Sequence, residues 1–131
     1  MRAKPKDADR ELQGIFGRLK AVLEKYDPPL TAKIDRAGRY ELWSVKDVVV
    51  AGRAKKEVFF ASLIVQSDYV GFYFMPVYAA SELAAVFSPD LLQLRTGKSC
   101  FHVKAVDGRL EKAVAAALRK GLSLYRKRGW V

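Results

Sequence analysis

Val58-Phe59-Phe60-Ala61-Ser62-Leu63-Ile64-Val65 is the stretch that decides the fold. Alternate residues of a strand point to opposite faces, and here both alternating sets are apolar, so the run reads as a central strand covered on both sides. Gln66-Ser67-Asp68 forms a turn after it, and Tyr69 to Met75 returns as its partner. That second strand divides into Val70, Phe72 and Phe74 against Tyr69, Gly71, Tyr73 and Met75. Pro76 ends it, because proline has no N–H to give to a ladder.

Upstream, Leu30 to Asp35 and Arg39 to Val45 read as a hairpin about Ala37-Gly38, with Tyr40, Leu42 and Ser44 on one face and Glu41 and Trp43 on the other. A basic loop, Gly52 to Lys56, joins this hairpin to the central strand. Further upstream, Leu12, Ile15, Phe16, Leu19, Val22 and Leu23 repeat at the spacing of one buried helical stripe. Asp7 or Asp9 is placed to cap that helix, and Asp27-Pro28-Pro29 stops it. Downstream, Ser81 is a candidate cap for a short helix through Val86, and Ser88-Pro89-Asp90 opens another that ends before Gly97. Ser99 to Val103 is a short strand. Asp107-Gly108 turns into a final helix with the stripe Leu110, Val114, Leu118, Leu122 and Tyr125, closed by Gly129.

The resulting expectation is an α+β fold. It has a mainly antiparallel sheet of about five strands, N- and C-terminal helices packed on one face, and short helices between the fourth and fifth strands. Residues 1–8 read as a flexible basic tail and 9–131 as a single domain. The 131 residues are half apolar, enough for one core without staples. One cysteine, Cys100, excludes an internal disulfide framework and suits a reducing cytoplasm. The uncharged stretch from Tyr69 to Ala80 is far short of the ~20 residues of a spanning helix, and acidic residues from Asp7 onward occupy the place of a signal peptide's apolar core.

Twenty-four Lys and Arg against fourteen Asp and Glu give a net charge of +10. Such an excess favours anionic partners. After Glu111 no acidic residue remains, whereas Lys112, Arg119, Lys120, Arg126, Lys127 and Arg128 do. These six are the candidate residues for nucleic-acid binding, set against the plainer reading of a solvated helix face. Trp130 beside them is a candidate hydrophobic latch.

No motif spells out a reaction. Thr96-Gly97-Lys98-Ser99 ends like a phosphate-binding P-loop, but Leu92 stands where the motif needs glycine, and a strand rather than a helix follows. A glycine turn beside Lys98 remains able to hold an anion. Cys100 and His102 share one face of their strand and are weak metal candidates, since zinc wants three or four ligands. Asp35, Glu41, Asp47 and Glu57 read as solvent-facing partners of neighbouring Lys or Arg. Aromatic and basic residues mix in Arg39-Tyr40 and in Trp43 to Lys46, a weak base-stacking signal.

Tyr69-Val-Gly-Phe-Tyr-Phe-Met-Pro-Val-Tyr78, Leu94-Arg-Thr-Gly-Lys-Ser-Cys-Phe-His102 and Leu124-Tyr-Arg-Lys-Arg-Gly-Trp-Val131, in that order, resemble the YdhG-like family of bacterial domains of unknown function. The likeness spans about residues 9 to 131. It implies a small α+β fold with an antiparallel sheet. Some relatives are linked to intracellular iron delivery for iron–sulfur assembly, which fits poorly with a basic chain whose only soft ligands are Cys100 and His102.

The leading expectation is a non-enzymatic binding module without a cofactor. Tyr69, Tyr73, Met75 and Lys98 would hold a small anionic ligand or a protein partner, on a sheet face that loops, a ligand or a second copy of the chain must cover. Nucleic-acid binding and iron delivery are the alternatives.

Overall fold

A computed structural model describes residues 5–131. In chain order the elements are α1 (Pro5–Leu23), β1 (Thr31–Arg36), β2 (Arg39–Ser44), β3 (Val48–Val50), β4 (Arg53–Lys55), β5 (Val58–Val65), β6 (Val70–Phe74), α2 (Met75–Ala79), α3 (Pro89–Leu92), β7 (Cys100–Val103) and α4 (Gly108–Lys127). Single 3-10 segments cover Glu24–Tyr26 and Ser81–Val86. Part of the expected N-terminal tail, residues 1–4, lies outside the described residues; from Pro5 onward the chain belongs to α1. Asp7 and Asp9 therefore sit within the helix rather than at its cap. Among the described residues no helix is long and apolar enough to cross a membrane.

The main sheet has five strands in the order β1-β2-β5-β6-β7, every neighbouring pair antiparallel. The apolar run 58–65 is its central strand. Tyr40, Leu42, Ala61, Leu63, Phe72, Phe74 and Phe101 form one buried face with α1 and α4 packed over it. The α2 and α3 helices lie between β6 and β7, the fourth and fifth strands of that sheet in chain order.

The central strand is not covered by helices on both sides. Between Leu42↔Ala61 and Trp43↔Phe59 the register of β2 and β5 slips by one residue. Phe60 is the extra residue. It turns to the helix side with Ala61 and meets Phe74 and Tyr125 edge-on at 5.6 and 5.2 Å. The bulge thus breaks the alternation that made β5 look apolar on two faces. Its other face holds Phe59, Ser62 and Ile64, and neighbouring long side chains close over it until Ser62 is only 3% exposed.

Local chemistry sets the element ends. Ser88 accepts from the Asp90 N–H and Asp107 from the Leu110 N–H, each capping a helix. The 3-10 segment at Ser81 has no side-chain cap, and Ala80 occupies the cap position. Gly129, at φ 73°, follows the end of α4 in a conformation that favours glycine. The basic loop of 52–56 is in fact half of a small separate hairpin, β3–β4, turning at Ala51-Gly52.

Candidate functional site

The bulge also fixes the site. By pairing Trp43 with Phe59 on the face away from the helices, it sets their rings edge to face at 5.3 Å. Glu41, two residues before Trp43 on the same face, accepts from the Trp43 indole N–H at 3.0 Å and from the Arg39 guanidinium at 2.6 Å. Glu41 is 8% exposed, so it is not the solvent-facing carboxylate its sequence context implied. Burial works against its charge, but the hydrogen bonds from Trp43 and Arg39 outweigh burial and hold its carboxyl below the usual value.

Trp130 arrives from the other end of the chain. Its N–H donates to the Tyr125 carbonyl at 2.8 Å, the Ser44 hydroxyl donates to its carbonyl, and its ring meets Tyr125 edge-on at 5.0 Å. The Tyr125 hydroxyl donates to the Phe59 carbonyl. Burial pushes that phenol well above its ordinary pKa, so it stays a donor. Trp130 thus closes the C-terminal end onto the domain as a hydrophobic latch.

Between these rings lies a cleft of about 600 Å³, within the usual ~300–1,000 Å³ of ligand pockets. Trp43 and Phe59 form its sheet wall, Met75 and Tyr78 of α2 a second wall, Trp130 a third, and Val50, Ala51 and Lys55 of the β3–β4 hairpin a fourth. Lys55, Glu57 and Arg128 are its charged residues. Glu57 is ion-paired with Lys33, whose ammonium lies 4.7 Å from the Trp43 ring centroid. Arg128 lies 5.0 Å from the Trp130 ring, and the Lys98 ammonium 5.8 Å from that of Tyr78. Three of the four aromatic rings lining the cleft, Trp43, Tyr78 and Trp130, already carry one of the chain's own cations.

The residues singled out in the sequence divide between two places. Met75 lines the cleft and Lys98 borders it through Tyr78. Tyr69 and Tyr73 sit further along the same sheet face and do not line it. Tyr69 stacks on His102 at 3.8 Å, and Tyr73 pairs across the ladder with Cys100 and accepts from the Gln66 amide at 3.3 Å. The Tyr73 ring lies over Gly71, where a Cβ would meet it at 2.7 Å. Desolvation raises the Tyr73 pKa. Cys100 and His102 are both half-buried on this face, and among the described residues no three His, Cys, Asp or Glu side chains gather as a metal site.

The turn at Thr96-Gly97-Lys98 is closed by the Thr96 N–H donating to Cys100 and by the Arg95 guanidinium donating to the Lys98 carbonyl at 2.6 Å. All six basic residues of the C-terminal segment are exposed, five of them along α4; Arg128, just past its end, lies over Trp130 and lines the cleft.

The sequence marks Trp43 only in a weak base-stacking stretch and Trp130 only as a latch, and it gives no site signal for Phe59, Tyr78 or Lys55. The alternation of 39–45 placed Trp43 on the face opposite the core, but nothing local marks its meeting with Trp130. No family model matches the chain, and no curated protein or solved structure matches it.

Proposed function

We propose that the protein is a non-enzymatic binding module whose cleft holds a small anionic ligand with a flat apolar body. The observation that carries this is an aromatic cleft rimmed by cations. Trp43, Phe59, Met75, Tyr78 and Trp130 supply apolar and π surface, while Lys55, Arg128, Lys33 and Lys98 surround it against the single, already paired carboxylate of Glu57. A cationic ligand would have to displace the chain's own cations from the ring faces they occupy. An anion would be drawn in by the field and its apolar part desolvated by the rings. Among the described residues the lining offers no serine, cysteine or histidine to act as nucleophile or base, which supports retention of a ligand rather than turnover. Membership of the YdhG-like family is part of this reading and rests on the order of the quoted motifs.

The test is titration with an aromatic sulfonate, 8-anilinonaphthalene-1-sulfonate, and with a quaternary-ammonium dye of similar size, both followed by tryptophan quenching. The sulfonate should bind saturably at one site; Arg128→Gln should weaken it by about tenfold at unchanged melting temperature, and Trp43→Leu by a similar factor with a lowered melting temperature, since Glu41 then loses its indole donor. Equal binding of the cationic dye, or an Arg128→Gln variant that binds like the parent, would overturn the proposal.

A further inference from the structure

The outer face of α4 is a second concentration of positive charge, different in chemistry from the cleft. The helix buries Leu110, Val114, Leu118, Leu122 and Tyr125 against the sheet and α1. At 3.6 residues per turn, Lys112, Arg119, Lys120, Arg126 and Lys127 all fall within an arc of roughly 120° on the opposite side. All five are exposed, and among the described residues none is in an ion pair. The helix's one acidic residue, Glu111, faces away from the arc and is paired with Arg18 at 2.8 Å. Between the cations the arc carries only Ala116 and Ser123, so long basic side chains flank a smooth strip.

Five cations over about 22 Å of straight helix give one positive charge per ~5 Å. A nucleic-acid duplex presents a phosphate charge about every 1.7 Å along its axis, so each cation has a partner within reach. The arc holds no aromatic side chain on which unpaired bases would stack. It holds no exposed large apolar side chain to enter a lipid surface either, because the helix's apolar stripe is spent on the core. We propose that this face of α4 binds the phosphate backbone of duplex nucleic acid without regard to sequence. Arg128, just past the end of α4, lies outside this arc and lines the cleft.

The experiment is fluorescence anisotropy of the full chain with a labelled mixed-sequence DNA duplex at several salt concentrations. At about 0.9 per phosphate engaged, three to five contacts give a log–log salt slope of about −2.7 to −4.5, a loss of about 40- to 500-fold between 50 and 200 mM. The triple variant Lys112→Gln/Arg119→Gln/Lys120→Gln should flatten the slope by about 2.7. Removing charge elsewhere, in Arg53→Gln/Lys56→Gln, should leave it unchanged. If the triple variant fails to fold by circular dichroism, the single variants carry the same readout in steps of about 0.9 each. No binding at 50 mM salt, a triple variant with the parental slope, or tighter binding to phosphatidylserine vesicles than to the duplex would each overturn the proposal.

Discussion

Glu41 shows how one residue joins stability to the site. It is a carboxylate in the middle of a sheet, held ionised by Arg39 and by the indole N–H of Trp43. Its folded-state pKa is below the ordinary value, so the stability it contributes is fully present above that ordinary value and is lost as pH falls through the lowered one. The parent should therefore lose melting temperature on acidification below about pH 4.5, and Glu41→Gln should remove part of that pH dependence. At neutral pH the substitution should cost about 1–2 kcal/mol, because a partly exposed arginine loses its charged partner. It should also loosen the Trp43 ring and weaken the cleft's hold on the sulfonate.

Gly121 makes a separate case. A Cβ there would lie 2.5 Å from Phe74 and 2.8 Å from Pro76. Gly121→Ala gains about 1 kcal/mol of helix propensity but overpacks the contact of α4 with β6 and α2 by about 1–3 kcal/mol. A net lowering of the urea midpoint is the expected outcome. Neither effect is visible from sequence. Glu41 reads there like any strand glutamate beside an arginine, and Gly121 like an ordinary weak point in a helix.

At the scale of elements, the legible parts were those with local causes. The apolar run of β5, the stop at Pro76, the caps at Ser88 and Asp107 and the stripe of α4 each follow from a few neighbouring residues. The β3–β4 hairpin was hidden because every residue of β4 is exposed and three-residue strands carry no alternation to read. The bulge at Phe60 was hidden because a continuous apolar run looks the same with or without a slipped register. That slip places Trp43 against Phe59, so the cleft was hidden with it. The closing segment is the other determinant. Trp130 is 8% exposed and packs on Tyr125, so Trp130→Ala should cost about 3 kcal/mol. The same variant should open the cleft and weaken the sulfonate by more than tenfold while leaving α4's duplex affinity unchanged. Parallel loss of both activities would instead mean that the latch holds the whole helix.

At the scale of the molecule, the excess of cations gathers in two places of different kind, the outer face of α4 and the rim of the cleft. One is an aromatic-free row on α4, where density of charge would be the only recognition element. The other is a concave site where cations surround rings and apolar burial adds to the electrostatic attraction. The sequence makes the row visible, because a helix brings together residues only a few positions apart. It conceals the cleft, whose walls come from positions 43, 59, 75, 78 and 130 and meet only through the tertiary fold.

The chain's two tryptophans, Trp43 and Trp130, both line the cleft. Their indole N–H signals in a proton–nitrogen NMR spectrum are therefore two direct reporters of occupancy. Titrating an aromatic carboxylate such as naphthoate should shift both signals together, with one saturating curve that Arg128→Gln displaces to higher ligand concentration. Indole signals that stay in place while backbone signals elsewhere move would show that the cleft is not the binding site.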